Sequence, residues 1–239
     1  MRNLAAALAK RLWPAYKYTS QSNFMIPWDN QGMSITKTKT KIGPQCHGHR
    51  MSLKTFEFAP VEEGYFYELA RGYIVVSEVP NYYHAMQITI LMKYLWGYEA
   101  AYPGTIHAIL GNMDCKLLIA ELESERHPDI AVYLTAPTGK KNRTVWRKWI
   151  PQLAIEVVSE SSRDRDYTQK REEYWTLGIK EYWIVDAKLQ QVLILRRGRS
   201  QWIEKTLGPG DVCETKLLPG LQLPCRAIFD AAGGENDDA

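Results

Sequence analysis

The stretch LAIEVVS, residues 153–159, places one carboxylate in the middle of an apolar strand. A carboxylate in such surroundings costs several kcal/mol unless an opposite charge or a metal ion balances it, and this carboxylate belongs to Glu156. A second acid, Asp129, opens the apolar stretch 130–134. If the two stretches are neighbouring strands, the carboxylates repel each other unless they share a proton or a cation. Hard oxygen ligands suit Mg²⁺ or Mn²⁺, and the carbonyl of Val157 could supply a third oxygen.

A lysine could complete this site from the next element of the chain. Asp166, Lys170 and Tyr174 are spaced i, i+4 and i+8, so they share one face of a predicted helix. Because that helix follows the Glu156 strand, it could pack against the strand and bring Lys170 close to the metal. Two carboxylates, a divalent cation and a lysine are suited to hydrolysing a phosphodiester. The metal lowers the pKa of bound water, and the lysine supports the attacking water or the developing charge.

Each of these residues also has a purely structural interpretation. Glu156 could be a buried carboxylate paired with Lys170 or Arg163. Asp129 could cap a turn, and Lys170 could pair with Asp166 on a solvated helix face. The occurrence of all three residues in this order, however, favours a shared catalytic site over three independent structural roles.

Several further residues are candidates for supporting roles. Glu68 could assist the metal or form a salt bridge at a strand edge. His84 could act in the site or simply begin a helix, and Ser159 follows the Glu156 strand directly. The segment Cys46-His47-Gly48-His49 holds three soft ligands, but the sequence offers no obvious second pair for zinc. Trp146 and Trp149 are candidates for core packing or for base stacking.

The elements that must position these residues alternate between strands and helices. Aromatic and β-branched runs on both sides of Arg71-Gly72 predict a β-hairpin. Residues 84–97 have apolar side chains at helical spacing. Residues 113–134 predict two strands with a turn near Glu125, followed by a basic loop and the Glu156 strand.

The second half of the chain predicts one helix and an antiparallel extension. The helix 163–177 would be capped by Ser161 or Ser162 and ended by Gly178. Strands 181–186 and 192–197 would pair across a short turn, and short strands would follow to Phe229. The order predicts an α/β protein with a mixed central β-sheet flanked by helices and an antiparallel strand extension.

The ordered set of motifs resembles one known family. The motifs are His127-Pro128-Asp129, Glu156-Val157-Val158-Ser159, Lys170 with Tyr174, GIKEYWIVD at 178–186, Tyr67-Glu68-Leu69-x-x-Gly72, Pro80-x-x-x-His84 and Leu218-Pro219-Gly220-Leu221. They resemble the Uma-two family of bacterial restriction endonucleases, a branch of the PD-(D/E)XK nuclease superfamily with a restriction-endonuclease-like fold. The resemblance extends from about Thr55 to about Phe229.

The resemblance implies that Asp129 and Glu156 are metal ligands and that Lys170 is the catalytic lysine. In the wider superfamily the lysine stands two residues after the glutamate, where this chain has Val158. In the Uma-type pattern the lysine lies on the following helix, as Lys170 does. The family usually has a proline after the first serine, whereas this chain has Glu160. We expect only a local change at the start of the helix.

Composition and charge indicate the domain organisation of the chain and its cellular compartment. Of the 239 residues 45% are hydrophobic, which is enough for one sizeable core. Residues 1–50 hold eight Lys and Arg and one acid, and the rest is mildly acidic. We predict a basic, disordered arm at 1–50, a nuclease-like domain at 51–230 and a flexible tail at 231–239. The lack of a long apolar run and of CxxC pairs favours a cytoplasmic protein without membrane contact.

These observations favour an Mg²⁺- or Mn²⁺-dependent endonuclease that acts on DNA. A homodimer is expected, because cutting both strands of a duplex usually needs two active sites. The basic residues that could meet phosphates are Arg163, Arg165 and Arg171 in the helix and Lys140, Lys141, Arg143, Arg147 and Lys148 in the loop 138–149. The alternative is a catalytically idle protein with a nuclease fold that binds DNA or another protein. The mild acidity after residue 50 favours this alternative.

Overall fold

A computed structural model describes residues 41–233 of the chain. Within this range twelve strands and four α-helices form a mixed α/β domain, as the sequence predicts. The strands are β1 Phe66–Ala70, β2 Tyr73–Ser77, β3 Ala108–Gly111, β4 Leu117–Ile119, β5 Ser124–Arg126, β6 Ile130–Tyr133, β7 Leu153–Val157, β8 Glu181–Asp186, β9 Gln191–Arg197, β10 Trp202–Leu207, β11 Val212–Thr215 and β12 Leu218–Pro224. The α-helices are α1 Leu53–Phe56, α2 Tyr82–Ala101, α3 Lys170–Leu177 and α4 Cys225–Asp230.

The central sheet has six strands in the order β10-β9-β8-β7-β6-β3. Its neighbours pair antiparallel except β7 and β8, which are parallel. A parallel pair needs a crossover, and here the crossover contains α3. All residues of β6, β7 and β8 are buried, because they lie in the middle of a sheet that is covered on both faces.

A smaller sheet joins β2, β1, β5 and β4 in that order, and β11 and β12 form a separate hairpin. The predicted turn between β1 and β2 is confirmed at Arg71 and Gly72, which both have positive φ, at 51° and 79°. Two successive positive φ values match the twist of a tight two-residue hairpin. The hairpin therefore carries Glu68 on β1 and sets its register against Val75 of β2.

Helix α2 is longer than the predicted helix. It begins after Asn81, whose side chain accepts a hydrogen bond from the backbone N–H of His84, and it continues through Gly97 to Ala101. Leu91 and Leu95 on this helix are fully buried in the main core, and their packing stabilises the helix beyond the glycine.

Three details of the predicted elements are corrected by tertiary packing. The segment 113–134 forms three strands rather than two, and Glu125 lies inside β5 instead of a turn. The turn comes earlier, at Glu123, whose φ is 48°. Helix α4 occupies the end of the predicted short strands, where Ile228 and Phe229 pack into the main core.

The described part of the domain includes residues before Met51. Ile42 is fully buried and forms an isolated β-bridge with Val61, so residues 41–50 pack on the domain although the sequence assigns them to the arm. Residues 1–40 and 234–239, which hold the rest of the predicted arm and most of the predicted tail, lie outside the described residues. Among the helices described, none is long and apolar enough to cross a bilayer.

Candidate active site

The pairing of β6 with β7 brings the two predicted carboxylates together. Ile130 is opposite Ile155, so Asp129 stands across from Glu156 at the end of the pair. Asp129 Oδ2 accepts a hydrogen bond of 2.8 Å from the backbone N–H of Val157. The strand pair thus fixes the Asp129 carboxylate directly, and Glu156 is held within the buried strand with 3% of its surface exposed.

Lys170 reaches this carboxylate from the crossover helix. A single π-helical turn, Arg165–Gln169, continues directly into α3 at Lys170. The Lys170 ammonium lies 3.0 Å from Glu156 Oε2 and 2.9 Å from Asp166 Oδ1. Single π-turns inside helices are frequent at functional sites. The predicted helix face is therefore present, but Lys170 is 5% exposed and buried, not on a solvated surface.

Tyr174 completes the same face. Its hydroxyl donates a hydrogen bond to Glu156 Oε1, and its ring is fully buried against Tyr182 of β8. Glu156 therefore receives Lys170 on one oxygen and Tyr174 on the other. The side chains of α3 hold the orientation of the carboxylate that the strand presents.

Burial and an excess of nearby carboxylates together determine the electrostatics of the cluster. Burial raises the pKa of Glu156 to about 8, and Asp129 and Asp166 add to the rise, although Lys170 opposes it. Burial by itself would lower the pKa of Lys170, but Asp166, Glu156 and Glu68 together raise it. The ammonium therefore stays charged, while more carboxylates surround it than it can neutralise. A second cation would relieve the repulsion between them.

The start of the crossover helix is organised by hydrogen bonds among serines, and in the described residues no helix N–H donates a capping bond to Ser161 or Ser162. Ser159 and Ser162 exchange hydrogen bonds between each backbone N–H and the other hydroxyl, at 3.0 and 3.2 Å. Ser162 Oγ then donates to Asp166 Oδ2 at 2.6 Å. Ser159 supports the site through this series of hydrogen bonds and does not contact the two strand carboxylates. No capping bond joins Ser161 to Asp164.

His84 lies against the oxygens of the two strands. Its Nε2 is 2.9 Å from the carbonyl oxygen of Val157 and 3.4 Å from Asp129 Oδ2. Burial by itself would lower the pKa of His84, but the Asp129 carboxylate and the Val157 carbonyl raise it. His84 therefore faces the site from α2, in contact with two of the predicted metal ligands.

A buried arginine, which the sequence analysis did not identify, supports the site by linking β5 to α3 and β1. Arg126 on β5 is fully buried and forms two hydrogen bonds to Glu173 of α3, at 2.6 and 3.1 Å. It also donates to Glu68 Oε2 at 3.1 Å. These partners are separated by 47 and 58 positions, so no local pattern could have predicted the network.

Glu68 has a structural role in this network. Its second oxygen accepts a 3.0 Å hydrogen bond from the backbone N–H of His127. Burial by itself would raise the pKa of Glu68, but Lys170 and Arg126 lower it to about 2. Glu68 therefore stays ionised and ties the hairpin to the segment that leads into Asp129.

All the predicted central residues open onto one cavity of about 1290 Å³. Asp129, Glu156, Lys170, Glu68 and His84 contribute to its wall. Pockets for small ligands typically measure about 300 to 1,000 Å³, so this cavity can admit a larger substrate segment.

The predicted nucleic-acid contacts are only partly available. Arg163 is paired with Asp186, which is fully buried, and Arg171 is paired with Glu204. Neither side chain lines the cavity, whereas Arg165 does. The helix therefore offers one guanidinium to the site instead of three.

The basic loop lies away from the cavity wall. Lys140 and Lys141 are exposed, and Arg147 pairs with Glu57 at 2.5 Å. The side chain of Arg143 is outside what the structure describes. Trp149 stacks on Tyr133 with ring centroids 3.9 Å apart, so it packs within the protein instead of presenting a free face for a base.

The donor set fits a hard divalent cation. Carboxylate oxygens of Asp129 and Glu156 and the carbonyl of Val157 are hard ligands. Among the described residues no group of three or more His, Cys, Asp or Glu side chains is arranged to hold a metal. Mg²⁺ is commonly held by one or two carboxylates and keeps several waters, so two carboxylates suffice.

Comparisons with known proteins identify the family and the fold of the chain. The chain matches the Uma2 family, described as "Putative restriction endonuclease", over residues 53–226. A crystal structure of "a putative nuclease belonging to DUF820" from Anabaena variabilis superposes with a TM-score of 0.61 at 17% identity, covering 76% of this chain and 99% of that one. The type IIG restriction endonuclease BpuSI gives a TM-score of 0.33 at 16% identity, covering 65% of this chain and 17% of that one.

The value for BpuSI is too low to support an argument, and the Anabaena structure establishes the fold alone. No curated protein matches the chain. The family match covers well over half of the sequence and includes Glu68, Asp129, Glu156 and Lys170. The chain therefore belongs to the Uma2 family and has the restriction-endonuclease-like nuclease fold.

Proposed function

We propose that the protein is a metal-dependent endonuclease that hydrolyses phosphodiester bonds of DNA at Asp129, Glu156 and Lys170. The observation that carries the proposal is the position of the Lys170 ammonium, which is buried 3.0 Å from Glu156, on the strand that pairs with the Asp129 strand. Two carboxylates from adjacent strands and one lysine from the crossover helix meet at a single cavity. The family description supports an activity on nucleic acid.

Asp129, Glu156 and the carbonyl of Val157 would hold Mg²⁺ or Mn²⁺. When bound, the ion lowers the pKa of water and neutralises charge on the phosphate. The pKa of Glu156 is raised by burial and, to a lesser extent, by Asp129 and Asp166, which supports this assignment because a nearby cation stabilises a buried carboxylate beside other acids.

The chain's own residues then orient and stabilise the reacting groups. Lys170 is held between Glu156 and Asp166, so its charge is fixed at the carboxylate cluster before substrate arrives. A preorganised cation of this kind stabilises charge that develops in the transition state. Arg126 and Glu173 anchor α3 to β5 and thereby keep Lys170 in place.

A catalytically idle binding protein is the second candidate, and the charge of the cavity favours it. Seven acidic residues and four Lys or Arg residues line the wall. A surface that tracks a nucleic acid backbone usually has an excess of basic residues. In the idle protein, Lys170 and Glu156 would be only a buried ion pair.

A cleavage assay separates the two candidates. Plasmid DNA, linear DNA and RNA are incubated with the full chain and Mg²⁺ or Mn²⁺, with a chelator as blank. We expect metal-dependent cleavage by the wild type and none by Glu156→Gln. Glu121→Gln is the matched control, because Glu121 is exposed and does not line the cavity. Cleavage that persists in Glu156→Gln, or is absent from the wild type with every substrate and metal, would overturn the proposal.

A further inference from the structure

The lining of the cavity includes aromatic side chains as well as the carboxylates and Lys170. They come from β1, its preceding residue and α2, namely Tyr65, Phe66 and Tyr83. Tyr65 is 38% exposed, so its ring is accessible. The hydrolysis of a phosphodiester does not by itself require aromatic rings beside the site.

Several buried polar atoms in the cavity wall lack a hydrogen-bond partner among the described residues, and two of them belong to Tyr67 and Gln87. Tyr67 is 8% exposed, and its hydroxyl has no hydrogen-bond partner among the described residues. Gln87 is 5% exposed, and its Oε1 likewise has none in that part of the chain. Leaving a buried donor or acceptor unpaired costs about 1–3 kcal/mol. Such groups in a native protein call for an explanation, and a ligand that pairs with them is one.

One of the other unpaired groups is cationic. Arg165 begins the π-helical turn and lines the cavity, and its Nε is buried without a hydrogen-bond partner within residues 41–233. Arg163 and Arg171, on the same helical segment, both have carboxylate partners. Arg165 therefore offers a free guanidinium of the kind that binds phosphate.

From these three observations we infer that the cavity receives an unpaired nucleotide of the substrate. Its base would lie on Tyr65 and Tyr83, its edge would pair with Tyr67 and Gln87, and an adjacent phosphate would meet Arg165. Bases in a duplex are stacked on their neighbours and their Watson–Crick edges are paired, so neither their faces nor these edges are free. Unpaired bases offer both, and aromatic stacking is the usual way to hold them.

The charge of the cavity agrees with this occupant. A wall with more acids than bases disfavours a long duplex contact, which depends on neutralising many phosphates. A single nucleotide needs one free cation and an aromatic surface. The inference rests on the proposed nuclease function, because that function is the reason for a nucleic acid to enter the cavity.

The test measures binding and cleavage separately. The probes are a short single-stranded oligodeoxynucleotide of mixed sequence, the same strand annealed to its complement, and that duplex with a single-stranded tail. Binding is followed by fluorescence anisotropy with Glu156→Gln in Mn²⁺ and with the wild type in chelator. Cleavage is followed with the wild type in Mn²⁺. We expect the strand and the tailed duplex to bind more tightly and to be cut faster than the blunt duplex.

Three variants probe the three contacts. Tyr65→Ala should weaken single-strand binding by about 5- to 150-fold, the scale of one lost stacking contact. Tyr67→Phe should weaken it by about 2- to 10-fold, the scale of one hydrogen bond. Because that hydroxyl is unpaired, the same change should leave thermal stability equal or higher. Arg165→Ala should weaken binding and reduce its dependence on salt.

The controls are Tyr73→Phe and Arg199→Ala, since both residues are exposed and neither lines the cavity. Equal or tighter binding of the blunt duplex, or wild-type binding by Tyr65→Ala and Tyr67→Phe, would overturn the inference even if DNA is cut. No cleavage of any probe, with single-strand preference intact and lost in the variants, would overturn the nuclease activity and support the nucleotide site.

Discussion

Replacing Lys170 by methionine tests whether this lysine is needed for chemistry or only for folding. Methionine has similar length but no charge, so the change removes the ammonium that lies 3.0 Å from Glu156 and 2.9 Å from Asp166. Both carboxylates are almost fully buried, at 3% and 1% exposure. Removing one partner of a buried ion pair costs about 3–5 kcal/mol, which we expect as the loss in free energy of unfolding.

That loss is compatible with a folded variant, because domains of this kind are stable by about 5–15 kcal/mol. Urea unfolding followed by circular dichroism gives the loss, and cleavage is measured on the folded fraction only. If Lys170 also stabilises the transition state, the rate should fall by about 100-fold or more in addition.

Two further variants separate charge from shape. Lys170→Arg keeps the charge and should recover part of the stability, but not the activity, because a guanidinium is broader and cannot take the position of the compact ammonium between Glu156 and Asp166. In Lys170→Met combined with Glu156→Gln, much of the lost stability should return, since one unpaired carboxylate is gone. A rate in Lys170→Met equal to that of the wild type per folded molecule would refute the catalytic role and leave an ion pair alone.

Four other predictions follow from the same contacts. Arg126→Met should lower the free energy of unfolding by about 3–5 kcal/mol because it leaves buried Glu173 and Glu68 unpaired, while Arg171→Met, which breaks a more exposed pair, should change it by at most about 0.5 kcal/mol. Because the pKa of Glu68 is lowered to about 2 in the folded protein, it contributes stability above about pH 4.5 that is lost as the pH falls towards 2. This contribution to the free energy of unfolding is up to about 3 kcal/mol. Glu68→Gln should therefore lose less stability than the wild type as the pH falls. Calorimetry should detect Mn²⁺ or Mg²⁺ binding to the wild type and none to Glu156→Gln, and an equal affinity would exclude Glu156 as a ligand. Light scattering should show a homodimer, free or with duplex DNA, and a monomer in both conditions would remove that expectation.

The sequence by itself determined the elements whose signals are local. Gly178 ends the crossover helix with a φ of 95°, a value that favours glycine, and the apolar run of β7 is buried throughout. The spacing of Asp166, Lys170 and Tyr174 placed all three on one face, and that face does meet Glu156. These features depend on backbone preference and helix period, which short windows of sequence contain.

Only the tertiary structure decided which charged side chains have a partner of opposite charge and which do not. Arg163, Arg165 and Arg171 look equivalent in the sequence, yet only Arg165 faces the cavity without a carboxylate partner in the described part of the chain. Arg126 and Glu173 lie 47 positions apart and meet only because β5 packs behind α3. Burial then sets the pKa of Glu156 and Lys170, since desolvation depends on every element that surrounds a group and not on its neighbours in the chain.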